Sequence, residues 1–334
     1  MEGISTPTKR SDRVVLEANL AYWDAARFPR LKRIIFDNTL GQKEAVDLVT
    51  GLSPLDTLRV AQSPFAAVVQ NRGALLPVVG QFNMRKTGSP WRDVRLRQAV
   101  NVAINREDLI RYATKGNAVI LPALVPIQGF GHDPALAPYP FDPGRARALL
   151  REGGSPDGLS LTLIAPEDLE IQATVVSKML EQIGLQVTLE MLDAVAYWRK
   201  TDLSNLDQPA ETQAWDIALV SWHDRLNFSV FNLYHFLALD GKMDWVLEEP
   251  ALRQLYAQVL GTVDRAQQQA LIRQMERHTS EYAYFLFLYN PIQLYAVNKA
   301  VQFVPYVSTL LNLAETSVTE QHWSVRKQKA AEPE

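Results

Sequence analysis

Apolar positions along this chain switch repeatedly between a two-residue and a three-to-four-residue period. Leu159, Leu161 and Leu163 alternate with polar or small residues, which predicts a strand with one face on a core. Val175, Val176, Met179, Leu180 and Ile183 then recur at helical spacing, and Gly184 closes that helix. Leu185, Val187, Leu189 and Met191 alternate again. Strand, helix and strand in this order predict a parallel crossover unit.

The same reading extends in both directions. Short strands are expected at Arg33 to Asp37, Asp47 to Thr50, Val68 to Asn71 and Leu75 to Phe82. Asp93 is placed to cap a helix with Leu96, Val100, Ala103 and Ile104 on one face. Asn105, with Asp108 three residues on, starts a second helix that ends at Gly116. Residues 118–140 hold five prolines and read as a long irregular excursion. Asp142-Pro143 opens a further helix, with Asp at the cap and Pro in the first turn. A short helix follows Asp193, and Trp215 to Trp222 reads as a strand. Two helices, near Pro250 to Gly261 and Asp264 to Ser280, precede the last strands. Helices and strands alternate, so the fold class is α/β. Residues 1–13 and 326–334 read as disordered ends.

Composition narrows the classes of function. With 334 residues, 47% of them hydrophobic and 21% charged, the chain is long enough for two lobes and ordinary for a globular protein. A formal net charge of −3 argues against nucleic acid as a partner, because that requires a basic surface. There is no cysteine, which excludes disulfides, thiolate zinc sites and a cysteine-borne lipid anchor. The first residues lack the apolar core of a signal peptide. The most apolar stretch, Ala283 to Val297, is too short to span a bilayer and is interrupted at Asn290-Pro291, so no membrane insertion is expected. No glycine-rich phosphate loop and no nucleophile elbow occurs.

Several segments, in order, carry a resemblance. They are VVLEANLAYWD from Val14, RLKRIIFDN after it, VDLVTGLSP from Val46 and PWRDVRLRQAVNVAINREDLI from Pro90. YPFDPGRARALLREGG from Tyr139, WDIALVSWHD from Trp215 and LYAVNKAVQFV from Leu294 complete the series. Together they resemble the family 5 bacterial extracellular solute-binding proteins, which serve ABC importers for peptides, nickel chelates and related solutes. The stretch from Pro90 to Ile110 is the most specific. The resemblance implies a periplasmic-binding-protein-like two-lobe fold with a solute enclosed between the lobes. On that reading residues 85–293 are a complete lobe II, and residues 14–84 and 294–325 are a partial lobe I with hinge strands.

Asp224 is the first candidate for ligand binding. It follows an expected strand, and ligands of open α/β sheets lie beyond the carboxyl ends of strands. A carboxylate there suits a peptide's α-ammonium, and the resemblance implies that role; the competing reading is a turn aspartate capping its own backbone. Trp222 offers an indole face to an apolar side chain, and the competing reading is a rim aromatic. His223 and Phe228 complete the candidate set, with Phe231 and Tyr234 as further cleft residues. A metal site at His223-Asp224 lacks further ligands at workable spacing, since His132, His235, His278 and His322 are scattered. Tyr22-Trp23 reads as packing near the hinge, and Arg95 and Arg97 read as solvated or salt-bridged.

The resemblance therefore implies a monomeric substrate-binding component of an ABC importer, with a small peptide or other small solute and the permease subunits as partners. No cofactor, no metal and no enzymatic activity are expected. The resemblance implies a periplasmic or cell-surface location, whereas the sequence as read carries no export signal and would suit the cytoplasm. Three other readings stay open at this point: the sensing domain of a cytoplasmic transcription regulator, an enzyme using His223 and Asp224, and a truncated non-functional remnant.

Overall fold

A computed structural model of the chain describes residues 13–24, 29–37, 46–53, 55–155, 158–221, 244–246, 249–308 and 310–329. They form two compact units. The first comprises Met1–Gln70, Leu294–Pro305 and Leu311–Glu334, and the second comprises Asn71–Gln293 and Tyr306–Leu310.

The first unit begins with an antiparallel ribbon of β1 (Arg13–Glu17) and β2 (Arg33–Asp37). The register sets Arg13 opposite Asp37, Val15 opposite Ile35 and Glu17 opposite Arg33. Because cross-strand partners share a face, one side carries two ion pairs around Val15 and Ile35. The other side carries only Val14, Leu16, Ile34 and Phe36. Val14, Leu16 and Phe36 of that side are exposed. Tyr22 and Trp23 differ from expectation. Asn19 accepts the amides of Ala21 and Tyr22 in a tight turn, which leaves Trp23 83% exposed rather than packed. Further on come β3 (Leu48–Val49), α1 (Asp56–Ala61) and β4 (Ala66–Asn71).

The second unit starts with β5 (Val78–Phe82), then α2 (Val94–Ala103), α3 (Arg106–Thr114) and β6 (Ala118–Ile120). It continues with α4 (Pro143–Glu152), β7 (Ser160–Pro166), α5 (Glu170–Glu181), β8 (Gln186–Leu192), α6 (Ala194–Thr201) and β9 (Ile217–Ser221). α7 (Pro250–Gly261), α8 (Arg265–Glu281) and β10 (Phe285–Pro291) complete it. The expected caps form: Asp93, Asn105, Asp142, Asp193 and Asp264 each accept an amide of the first turn that follows. The strands make one six-stranded mixed sheet in the order β6-β10-β5-β9-β7-β8. β7 is parallel to both β8 and β9, as the crossover pattern requires, and β5 and β10 run antiparallel to their neighbours. Every residue of β5 is buried, as are all of β10 up to Asn290, so both sheet faces are covered. β5 lies between β10 and β9 at the centre of the second unit's sheet, and the run of the first unit that precedes it ends at Gln70.

The proline-rich excursion after β6 is irregular but far from superficial. Leu121, Ala123, Leu124 and Val125 are all buried in the core. Its polar backbone groups find partners on α8: Ser280 donates to the Pro122 carbonyl and Arg273 to that of His132, while Glu276 accepts the Val125 amide. At the start of the crossover unit, Gly158 has φ +89°, and a Cβ there would stand 2.0 Å from the carbonyl oxygen of Gly184. Gly158→Ala therefore forces apart the entries to β7 and β8, and urea unfolding should show a loss of about 2 kcal/mol or more.

The chain returns to the first unit as β11 (Gln293–Asn298), β12 (Val301–Gln302), β13 (Ser317–Val318) and α9 (Trp323–Lys329). β11 lies between β3 and β4, and β12 pairs with β13. α9 extends past Val325, where a disordered tail was expected. It is tied down at its start, where His322 lies 3.0 Å from Asp47 and the Trp323 indole donates to the same carboxylate.

Candidate functional site

β7, β8 and β9 are parallel, so their carboxyl ends share one edge of the second unit's sheet. The register sets Leu163 beside Ile217 and Ile164 beside Ala218, and Ser221 ends β9 opposite Val78 of β5. Tyr289 of β10 lies on the other side of Val78. Its ring is fully buried, and burial pushes its phenol up to about 12. The hydroxyl accepts a 2.9 Å hydrogen bond from Gln172 in the first turns of α5, tying that helix to the sheet edge. Beside Tyr289, Asn290 accepts the Leu76 amide at 2.9 Å and donates to the Ala74 carbonyl at 2.6 Å. This fixes the approach to β5. Glu167, Asp168 and Glu170 stand exposed where β7 hands over to α5. The edge thus combines a fixed polar frame with negative charge.

Trp222, His223, Asp224 and Phe228 follow directly on Ser221 in the sequence; they lie outside the described residues, as do Phe231 and Tyr234. Tyr289, Gln172 and Asn290 were not singled out from sequence. The signal was present in the polar pair Tyr289-Asn290 at the end of an apolar run just before Pro291.

The amino end of β9 is built for a different purpose. Asp216 is buried and accepts from the Thr162 amide at 2.8 Å, Lys86 Nζ at 3.0 Å and the Trp91 indole at 3.3 Å. Asp244 sits between Arg85 at 2.8 Å and Arg253 at 3.7 Å, and burial pushes its carboxyl up to about 6. An open depression of about 530 Å³, lined by Arg85, Leu203, Leu206, Asp207 and Glu211 among others, lies at this end and not at the carboxyl edge.

Two arginines of the Pro90 to Ile110 stretch prove to be internal. Arg97 is 4% exposed and donates to the carbonyls of Trp91, Arg92, Tyr282 and Ala283. Arg106 is 3% exposed and donates to those of Asn101, Ile104, Tyr139 and Phe287. Burial holds both guanidinium groups down at about 10. Arg95 does pair at the surface with Asp93, but Arg97 corrects the expectation of a solvated residue: its helix face turns toward the loop before β10, whose carbonyls need donors. Among the described residues no three metal-binding side chains come together. His132, His278 and His322 each engage separate partners: the Val125 carbonyl, Glu249 and Ser324.

Residues 6–244 match the family model described as bacterial extracellular solute-binding proteins, family 5, middle region. The chain belongs to this family. Its relatives include the glutathione-binding protein GsiB of Salmonella typhimurium, 34% identical over 121 residues, which cover 34% of this chain and 22% of GsiB. The fold likeness is broader. The substrate-binding protein CtaP of Listeria monocytogenes superposes with a TM-score of 0.78 at 20% identity, over 93% of this chain and 65% of CtaP. DppA of Helicobacter pylori, solved in complex with the peptide STSA, gives 0.75 at 18% identity, over 93% of this chain and 61% of DppA. The chain thus spans less than two thirds of the length of each of these three proteins. No helix among the described residues is long and apolar enough to cross a membrane.

Proposed function

We propose that this chain acts as the substrate-binding component of an ABC importer, taking up a small peptide or similar solute outside the cytoplasm and presenting it to permease subunits. The observation that carries this reading is the family match over residues 6–244. GsiB is by name a glutathione-binding protein and DppA holds a tetrapeptide, which favours short peptides as the solute class.

The solute lies at the carboxyl edge of β9, where the parallel strands of the second unit end. Asp224 receives the peptide's α-ammonium through a charge-assisted hydrogen bond, with Trp222, His223 and Phe228 beside it. No bond is made or broken, so the chain is a carrier and not an enzyme. Binding energy is used to favour the ligand-held conformation, which is the form offered to the permease. The two units described above supply portions of the family's two lobes.

Titration calorimetry with glutathione and a panel of di- to tetrapeptides tests this. At least one peptide is expected to bind, and Asp224→Asn is expected to weaken it by about 1.5–3 kcal/mol, tenfold or more in Kd. Undiminished affinity in the variant would remove Asp224 from the site. Absence of binding by every peptide would remove the peptide-carrier reading.

A further inference from the structure

The carboxyl of Glu276 lies in the middle of α8, with only 1% of the residue exposed. It faces the irregular segment between β6 and α4. One oxygen, Oε2, accepts the Val125 amide at 2.7 Å, and the carboxyl also takes the Leu124 amide. The other, Oε1, is buried and has no hydrogen-bond partner among the described residues. Among the described residues no cation pairs with this carboxyl. The nearby charges are spent elsewhere: Arg277 binds Asp133 at 2.6 Å, and Arg273 binds the His132 carbonyl. Two successive amides of an otherwise irregular segment therefore hang on one uncompensated acid.

We propose that Glu276 is a proton-operated latch: protonated, it holds residues 121–133 against α8, and on losing its proton it lets that segment open. A neutral carboxyl accepts the Val125 amide through Oε2 without burying a charge. An ionised one would leave a full negative charge in apolar surroundings, with Oε1 unsolvated. The segment offers a route for release, because it has no ladder hydrogen bonds of its own between Ile120 and α4. Its other ties to α8 are Ser280 to the Pro122 carbonyl, Arg273 to that of His132, Arg277 to Asp133, and Tyr139 to the Ser280 carbonyl, while the Leu121 amide anchors its start on the Leu288 carbonyl of β10 and Arg106 holds the Tyr139 carbonyl at its far end.

The groups packed around the latch set its direction. Asp133 and His132 lie on the segment, Arg273 and Arg277 on α8, and Tyr139 at the far end of the excursion. His278 turns away to Glu249 at the start of α7. Burial holds the Glu276 carboxyl up at about 8 against the opposing pull of the Val125 and Leu124 amides, and Asp133 adds to the effect of burial. The sign follows. In the closed state the group keeps a proton that it releases once water reaches it, so the latch is fully engaged below the ordinary glutamate range. It weakens as pH rises, and its contribution is lost above about 8.

The test is amide hydrogen exchange on the intact chain, read as protection factors so that intrinsic base catalysis is removed. One released proton lowers the protection of Leu124 and Val125 by about tenfold per pH unit, or about 100-fold between pH 5.5 and 7.5. Leu163 and Val187 in β7 and β8 serve as references and are expected to show no such slope. Glu276→Gln keeps the acceptor oxygen and should flatten the profile at Leu124 and Val125. Constant protection of these two amides across this range in the wild-type chain would overturn the latch without need of any variant. So would an unchanged slope in Glu276→Gln, or a slope shared equally by the β7 and β8 amides.

Discussion

Replacing Arg106 with methionine lowers the unfolding free energy by about 3–5 kcal/mol, although the residue pairs with no acid among the described residues. The guanidinium reaches from the first turn of α3 to four carbonyls on three separate segments, and to the Asn101 side chain. Methionine fills much of the volume but donates nothing, so buried carbonyls of the α2–α3 corner, the Tyr139 segment and β10 lose their donor. Each orphaned group costs about 1–3 kcal/mol, reduced where neighbours relax. Urea unfolding followed by tryptophan fluorescence checks this. Arg95→Ala is the control, because Arg95 is solvent-exposed and pairs only with Asp93 two residues away; it should leave the midpoint where it was. A midpoint for Arg106→Met equal to that of the control would show that water enters and satisfies the carbonyls.

The second large effect is expected at Asp216. Asp216→Ala removes the acceptor shared by Lys86, Trp91 and the Thr162 amide, which leaves the buried indole and amide unsatisfied and the partly exposed ammonium without its counter-charge. Losing one partner of such a buried arrangement costs about 3–5 kcal/mol. Asp216→Asn keeps the shape and one acceptor oxygen, and should fall between the alanine variant and wild type. The two variants separate loss of charge from loss of geometry. Because Asp216 ties the first residues of β9 to β7 and to the 3₁₀ turn before α2, both should also alter the environment of Trp91. Equal stability of wild type and Asp216→Ala would refute this account of the strand's amino end.

These two residues show what the sequence made legible. Local signals were read correctly where the cause is local: Asp93, Asn105, Asp142, Asp193 and Asp264 cap helices by bonding an amide two or three residues away. The alternation at Leu159 to Leu163 and at Leu185 to Met191 predicted β7 and β8, and their parallel pairing followed from the helix between them. Arg97 was misjudged because its partners, Tyr282 and Ala283, are distant in sequence, and nothing in helical periodicity reveals which carbonyls lack donors. The excursion after β6 is irregular, as its prolines imply by breaking both periods, but its burial was not legible because the partners that permit it lie on α8. A strand's membership in one sheet or another is a long-range property, and β5 joins the second unit's sheet through β10 and β9, which are distant in sequence. For the proposed site, the sequence pointed to the residues after β9 by a strand-end argument, while the Tyr289–Gln172 bond at the carboxyl edge of the sheet joins residues far apart in the chain.

The β1–β2 ribbon has a practical consequence. An amphipathic two-stranded sheet with ion pairs on one side and four aliphatic or aromatic side chains on the other behaves as a surfactant-like element. Its preferred environment depends on concentration and on ionic strength in the same sense. Raising salt screens the Arg13–Asp37 and Glu17–Arg33 pairs that keep one side hydrated, while it strengthens the tendency of the Val14, Leu16, Ile34 and Phe36 side to leave water. Purification in dilute, low-salt buffer therefore favours the dispersed chain, and salting-out conditions favour its association through this ribbon before the rest of the fold is perturbed.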